Sequence, residues 1–224
     1  MAERMNRTAS SSTKSGFSTL EMMVVVTISI IITVIAIPGY FTTQRYLRMA
    51  GDLRALNGIT AQAKMRAAAE FTHARTYANL ANNTYHLELW NKAGNGGAGC
   101  WQTDGDTANA CTAASSPVLS LSQGDIFSVG NLATGPTAGQ PVPTQAPLCP
   151  QGAANTPGGG GTTANTACIE FNSRGIPVNT AGAPVSTGAI YINNNVVIDG
   201  VTVSGTGSIQ TWSSPASSVN WHAQ

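Results

Sequence analysis

Residues 15–26 read SGFSTLEMMVVV and place one carboxylate, Glu21, at the head of an apolar run. From Met22 to Ile37 the chain has 16 residues that include neither a charge nor a proline. A helix of this kind, extended at both ends, is long enough to cross the roughly 30 Å hydrocarbon core of a bilayer. The pattern therefore predicts a transmembrane helix at 17–41 that carries an acid near its start.

The segment before this run is short and basic. Residues 1–16 contain three bases and one acid, and positively charged flanks stay on the cytoplasmic side of a membrane. A secretory signal would place a small-residue cleavage site after the apolar run, but Ala36-Ile37-Pro38 makes a poor one. We therefore expect the rest of the chain to be exported and any processing to lie before the apolar run.

The four cysteines all lie beyond the predicted helix, and none has the C-x2-C spacing of a zinc site. This usage predicts two disulfides formed in an oxidising compartment. Of the three possible connectivities, Cys100 with Cys111 and Cys149 with Cys168 close the shortest loops. Four free buried thiols are the alternative.

The N-terminal pattern resembles the type III signal of type IV pilins and type II secretion pseudopilins. In that signal a basic leader ends in glycine, and a phenylalanine, a carboxylate four residues later and an apolar helix follow. The matching residues are Gly16, Phe17 and Glu21. The resemblance implies that prepilin peptidase removes the leader 1–16 and methylates the new amine of Phe17. Pro38 matches the proline at which many pilin helices loosen in filaments.

Glu21 also has a physical interpretation, which stands beside the resemblance. An ionised carboxylate near the membrane interior costs about 2.5 to 3.5 kcal/mol on translocon scales and should therefore have a partner. The nearest cation is the α-amine that processing creates on Phe17, in the same subunit or in a neighbouring one. The alternative is a solvated residue at a helix N-terminus, where the macrodipole favours negative charge.

Beyond Pro38 the pattern predicts an amphipathic helix over 42–80 that continues into the head. Between Arg45 and Arg75 there are six bases and two acids, a balance of +4, which we expect on a solvated face or against anionic head groups. Apolar residues recur every three or four positions and predict one stripe against a core: Leu47, Ala50, Leu53, Leu56, Ile59 and Ala63.

After residue 80, short alternating runs separated by Gly, Asn and Pro predict a β-rich head over 81–224. The three asparagines at 193–195 predict a hairpin turn, because Asn tolerates positive φ. Residues 131–166, rich in Pro, Gly and Thr, predict a long surface loop. The predicted fold class is α+β, with a long N-terminal α-helix packed on a C-terminal antiparallel β-sheet head.

A long helix followed by a β-rich head, with FNSRG at 171–175 before two late strands, is similar to the GspH/FimT minor pseudopilin family. The resemblance implies a structural subunit, without enzymatic activity or cofactor, of a type II secretion pseudopilus or a type IV pilus. It would cross the bacterial inner membrane once, with its head in the periplasm or, after assembly, in a filament. Its partners would be other pilin-like subunits, prepilin peptidase and the inner-membrane assembly platform.

No catalytic motif is present in the sequence. His73, His86 and His222 are widely spaced, and we expect each of them at the surface. Asp104 and Asp106 form a weak calcium candidate, since acidic loops bind calcium in some major pseudopilins. A plain acidic turn is the favoured interpretation, because the ligand count of an EF-hand is missing.

Two alternative functions stay open. A DNA-uptake minor pilin of the FimT type would need an arginine-rich tail, but residues 205–212 contain no arginine. The head beyond residue 80 has two bases and six acids, a balance of −4, which also disfavours nucleic acid. A membrane-tethered carbohydrate-binding module would instead expose tryptophans on one face; the candidates are Trp90, Trp101, Trp212 and Trp221.

Overall fold

The computed structural model describes Gly16 and residues 18–105, 111, 118–185 and 187–224, with the backbone alone at Pro38. The chain divides into two compact units, residues 1–44 and residues 45–224. The helix α1 (Thr19–Ala69) begins in the first unit and ends in the second. The strands belong to the second unit, which is called the head below.

Within the head, α1 buries one face. Met49, Leu53, Leu56, Thr60 and Ala63 are each at most 2% exposed, and their spacing of four and three residues places them on one side of a helix. The predicted stripe is therefore correct for Leu53, Leu56 and Ala63. It is wrong for Leu47, which is 68% exposed, because Leu47 precedes Met49 by two residues, just over half a turn, and so lies on the opposite side of the helix.

The helix ends earlier than the sequence pattern predicts. It stops at Ala69, Phe71 adopts a left-handed backbone with φ 49°, and the Thr72 amide donates to the Ala67 carbonyl at 3.1 Å. This is the closing hydrogen bond of a Schellman-type cap. Residues 74–79, predicted as helical, form a strand. Pairing on both of its edges outweighs the helix propensity of its alanines and arginine.

The described part of the head contains eleven strands and one short 3-10 turn at Asn95–Gly97. The strands are β1 (Ala74–Asn79), β2 (Thr84–Asn91), β3 (Cys100–Thr103), β4 (Leu119–Ser120), β5 (Ile126–Phe127), β6 (Thr166–Phe171), β7 (Pro177–Val178), β8 (Thr187–Asn193), β9 (Val197–Ser204), β10 (Ile209–Pro215) and β11 (His222–Ala223).

These strands form two antiparallel sheets. The first sheet has the order β3-β2-β1-β6-β7, with β4 paired to β2, and the second has the order β11-β10-β9-β8-β5. One core cluster contains buried residues of α1 and of both sheets. In β1, Ala74 and Ala78 belong to this cluster, and Thr76 between them donates to the Thr60 hydroxyl of α1 at 3.3 Å. The long N-terminal helix and the antiparallel sheets confirm the α+β class.

The hairpin predicted at 193–195 is present between β8 and β9. Asn195 adopts φ 65°, which Asn tolerates better than most residues. The side-chain oxygen of Asn194 accepts hydrogen bonds from the amides of Val196 at 3.0 Å and Val197 at 2.8 Å. Asparagine side chains thus satisfy the backbone of the turn that they form.

The loop predicted at the surface, residues 131–166, is partly buried between the two sheets. It carries no strand up to the start of β6, but the Ala146 amide donates to the Ala189 carbonyl at 2.6 Å and the Cys168 amide donates to the Pro147 carbonyl at 2.9 Å. This stretch therefore lies between β6 of the first sheet and β8 of the second. Cys149 within it has no exposed surface, so the loop contributes to the interior.

Candidate functional site

The first unit presents an exposed apolar helical surface. Every described side chain of residues 18–43 is exposed, including Leu20 and Ile35 at 73% each. Soluble monomers seldom expose apolar patches of more than a few hundred Å². One helix of the described chain is long and apolar enough to cross a membrane, and this surface belongs to it.

Three threonine hydroxyls in this segment are satisfied within the helix. Thr27 donates to the Met23 carbonyl at 2.8 Å, Thr33 to the Ser29 carbonyl at 2.7 Å, and Thr43 to the Gly39 carbonyl at 3.0 Å. Hydrocarbon offers no hydrogen bonds, so polar groups inside a bilayer have to be paired within the protein. These three side chains therefore meet the polar requirement of a spanning helix.

Glu21 lies in the first turn of α1, and its side chain is exposed. It is the only charged residue between Thr19 and Gln44. Gly16, the predicted cleavage position, is also exposed. Phe17 and the leader before Gly16 lie outside the described residues, so the predicted pair between Glu21 and the Phe17 amine stays a prediction.

Pro38 lies within α1, whose assigned helix runs on from Thr19 to Ala69. Proline has no amide hydrogen, so the carbonyl four residues earlier, at Val34, cannot receive the usual helical hydrogen bond from it. Only the backbone of Pro38 is described. The loosening in filaments that the resemblance implies for this position stays a prediction.

Both disulfides are present in the head, with the connectivity that the shortest loops favour. Cys100 pairs with Cys111 across a Cα–Cα distance of 5.6 Å, and Cys149 pairs with Cys168 across 5.0 Å. Free thiols are absent from the described residues. The second disulfide joins the 131–166 loop to β6, so it fixes the segment that lies between the two sheets.

A buried ion-pair network lies on the face of the first sheet that points away from α1. Arg75 Nε donates to Glu88 Oε2 at 2.5 Å, and Arg75 Nη1 donates to the Pro150 carbonyl at 2.5 Å. His86 Nε2 lies 3.1 Å from Glu88 Oε1. Arg75 is 3% exposed and His86 is 5% exposed. Charges removed from water in this way have to be matched by partners, and these residues match one another.

Aromatic rings enclose this network. The Arg75 guanidinium lies 4.0 Å from the Trp101 ring centroid, and the Tyr77 ring stacks on the His86 ring at 4.8 Å. Burial alone would raise the pKa of Glu88, but Arg75 and His86 outweigh it and the net pKa is lowered. Burial and then the charge of Glu88 raise the pKa of Tyr77. A cleft lies over this face and is lined in part by Asn79.

The network corrects several expectations from the sequence. Arg75 is buried in a strand, so it does not belong to a solvated helix face. His86 is buried, and its Nδ1 has no hydrogen-bond partner among the described residues. His73 is half-buried with Nδ1 2.7 Å from Glu170 Oε1, while His222 is exposed as predicted. Strand register brings Arg75, His86 and Glu88 together, and a sequence pattern carries no signal for such pairing.

The weak calcium candidate is only partly described. Asp104 makes an ion pair with Arg66 of α1, so its carboxylate already has a cationic partner. Asp106 lies outside the described residues. Groups of three or more His, Cys, Asp or Glu side chains arranged to hold a metal are absent from the described part of the chain.

The structure changes the reason for expecting weak DNA binding: most of the acids counted in the sequence are not at the surface. Of the six acids beyond residue 80, Asp125, Glu170 and Asp199 are buried and Glu88 is half-buried, so most of the predicted negative charge is not at the surface. The two bases of this region, Lys92 and Arg174, are exposed. The case against nucleic acid therefore rests on how few cations this surface offers.

The tryptophans do not form an exposed platform. All four lie within the described residues; Trp90 and Trp101 are buried, and Trp212 and Trp221 are half-buried. The indole nitrogens of three of them donate hydrogen bonds inside the chain, to Pro157, Thr202 and Thr134. Trp90 and Trp101 have the positions of core anchors, and Trp212 and Trp221 are each held by a hydrogen bond from the indole nitrogen. This removes the feature on which the carbohydrate-binding alternative depended.

Comparisons with known proteins found no matching family profile, no matching curated protein and no matching solved structure.

Proposed function

We propose that this protein is a minor pilin-like subunit, a minor pseudopilin of a type II secretion system or a minor pilin of a type IV pilus. The observation that carries the proposal is the exposed apolar helical surface of residues 18–43, which bears a single carboxylate at Glu21. The preceding Gly16 and Phe17 complete the pattern of a prepilin signal.

The exposed apolar helix suits a protein that is first held in a membrane and later packed in a filament. Burying one Val, Leu or Ile side chain contributes about 1.5 to 3 kcal/mol, so an exposed run of such residues is strongly unfavourable in water. Hydrocarbon supplies the cover before assembly. In a filament, the corresponding helices of neighbouring subunits supply the same cover, so the segment is both an anchor and an assembly surface.

Glu21 gives this surface its register. Its partner is the α-amine that cleavage after Gly16 creates on Phe17, in the same subunit or in the next one. In an apolar environment a single ion pair is strongly favoured over two unpaired charges. The pair therefore sets how far one helix lies along its neighbour.

The cross-links of the head support its role as a structural subunit. Two disulfides and a buried Arg75–Glu88 ion pair hold it together. Its disulfides also support an exported head, because such bonds persist in oxidising compartments such as the periplasm. The inner membrane is then where the exposed apolar helix is anchored before assembly.

Intact-mass spectrometry of the membrane-extracted protein tests this proposal. The expected mature chain begins at Phe17 and carries one methyl group on its amine. A chain that begins at Met1, or at a site after Ile37, would contradict the proposal. A Gly16→Arg variant should remain unprocessed, whereas the matched Ser15→Ala variant should be cut as usual.

A further inference from the structure

One segment of the head connects its two sheets and also contacts α1. We call residues 119–127 the strap. Its first strand, β4, pairs with β2 of the first sheet, and its second strand, β5, pairs with β8 of the second sheet. Between these strands, the Asp125 amide donates to the Ser122 carbonyl at 3.0 Å and closes a turn. The turn holds Asp125 near Ser122, the residue that contacts α1.

The turn of the strap is attached to Asp52 of α1. The Ser122 amide donates to Asp52 Oδ2 at 2.7 Å, and the Ser122 hydroxyl donates to Asp52 Oδ1 at 3.1 Å. Asp52 is 8% exposed, although a charged residue on a helix of this kind is ordinarily solvated. The strap thus supplies two hydrogen-bond donors to a buried carboxylate.

A second carboxyl group lies beside this one. Asp125 is 6% exposed, and both acids are tied to Ser122, which accepts a hydrogen bond from the Asp125 amide and donates to the Asp52 carboxylate. Asp125 Oδ2 has no donor among the described residues, and neither has Oδ1 of Asp199 on β9, which is 2% exposed. Three buried acids therefore converge from α1, the strap and the second sheet.

The charges around Asp125 do not compensate for one another. Asp52 on α1 and Asp199 on β9 act on it as negative groups, and Arg48 on α1 acts on it as a positive group. Tyr85 on β2 is a neighbour of Asp52, and burial followed by the charge of Asp52 raises its pKa to about 12. Two adjacent carboxylates seldom ionise together, because like charges at close range disfavour the second ionisation.

We propose that Asp52 and Asp125 hold one proton between them and that this shared proton fastens the strap to α1. In the protonated pair, Asp125 donates a hydrogen bond to the Asp52 carboxylate, while Ser122 supplies the other two donors. Loss of the proton leaves both Asp52 and Asp125 negatively charged and buried. They then repel each other, and the charge of Asp199 adds to the repulsion. The strap then opens from α1, and the connection between the two sheets loosens.

The direction of the pH dependence follows from proton linkage. Burial, then the hydrogen bond and charge of Asp52, raise the pKa of Asp125 from 3.8 to about 7. A raised pKa means that the closed strap binds the proton more tightly than the open strap. The stabilisation is therefore complete below pH 3.8, falls as the pH rises towards about 7, and stays low above that value.

Hydrogen exchange of the full-length protein in detergent micelles tests the proposal. Exchange of the 119–127 peptide is followed between about pH 5 and about pH 8 and corrected for the intrinsic pH dependence of amide exchange. Opening of the wild-type strap should increase at least tenfold up to about pH 7, since the linkage limit is about tenfold per pH unit, and should then level off. A pH-independent opening would overturn the proposal.

Two variants separate the shared proton from a general effect of buried charge. Asp125→Asn donates the same hydrogen bond at every pH, so its strap should lose the pH dependence. Asp199→Asn removes a buried acid of the same kind that is not part of the pair, so the increase should persist with a lower midpoint. An Asp125→Asn strap that retains the wild-type increase would overturn the proposal. If that variant does not fold, Asp52→Asn provides the same test.

Discussion

Arg75 and Glu88 are direct register partners across β1 and β2, and their side chains meet at 2.5 Å on the buried outer face of the first sheet. The Arg75 guanidinium also contacts the Trp101 ring and the Pro150 carbonyl. One side chain therefore connects β1, β2, β3 and the 131–166 loop. Several of the measurable properties of the head depend on it.

Replacing Arg75 with methionine should destabilise the head by about 3 to 5 kcal/mol, because Glu88, whose side chain is only 12% exposed, would lose its cation. Urea unfolding followed by near-UV circular dichroism measures the loss. The double variant Arg75→Met with Glu88→Gln is the matched control and should lose less, since it leaves no unpaired charge. A loss of less than about 1 kcal/mol for the single variant would show that the pair behaves like an exposed one.

The same pair predicts part of the acid sensitivity of the protein. The net pKa of Glu88 is lowered from 4.5, so its ionised form contributes stability above that value and loses it as the pH falls. Glu88→Gln should therefore be less stable than the wild type near neutral pH, and the difference should shrink below about pH 4. Thermal unfolding across this range measures it; a constant difference at every pH would contradict the assignment.

Glu21→Ala should separate processing from assembly. Cleavage after Gly16 should continue, because the carboxylate is assigned to pairing between helices rather than to recognition of the leader. Incorporation into filaments should fall roughly tenfold or more, as expected when one member of a desolvated ion pair is removed. Quantitative blotting of sheared filaments measures this, with Ser18→Ala as the control. Normal incorporation of Glu21→Ala would refute the pairing role.

Phe71→Gly should stabilise the head by about 1 kcal/mol. Phe71 adopts φ 49°, a left-handed conformation that costs a residue with a Cβ about 1 to 2 kcal/mol but costs glycine little. Its side chain is 76% exposed, so little packing is lost. Phe71→Ala keeps the Cβ and should gain much less. Destabilisation by glycine in urea unfolding would show that the ring is needed where it lies.

Removing the Cys149–Cys168 disulfide should cost about 3 kcal/mol, the loop-closure value for its sequence separation of 19. Cys149 is also fully buried between the sheets, so paired serine substitutions add the cost of unsatisfied hydroxyls. The same substitutions at Cys100 and Cys111 are the control and should cost less, because Cys111 is exposed. Equal losses in urea unfolding would contradict the central position assigned to the second disulfide.

Part of the fold could be predicted because its signals are local. The apolar run from Met22 to Ile37 predicts a long helix by itself, and alternation predicts strands such as β2, β6 and β9. The asparagines at 193–195 predict their own turn, because their side chains bond the backbone beside them. Each of these features depends on residues a few positions apart, and that is the range over which a sequence pattern has meaning.

The sequence predictions were wrong where contacts between residues far apart in the chain determine the local structure. Residues 74–79 contain good helix formers, yet they form a strand because they pair with β2 on one side and with β6 on the other. Once β1 is a strand, Arg75 turns away from the solvent and meets Glu88. Leu47 fits an approximate apolar repeat, but the buried face follows the exact spacing that starts at Met49. In each case the tertiary context outweighs a local preference of about 1 kcal/mol or less.

The sequence by itself determined the long apolar helix, the position of the acid Glu21 at its start and the β-rich head, and it favoured the disulfide pairing that the structure has. Only the tertiary structure decided which charges are buried: Arg75 with Glu88 across two strands, and Asp52 with Asp125 between a helix and the strap. Hydropathy and periodicity are properties of neighbours along the chain. Desolvation and charge pairing depend on which distant residues the fold brings within hydrogen-bonding distance, and only the assembled sheets and helix supply that information.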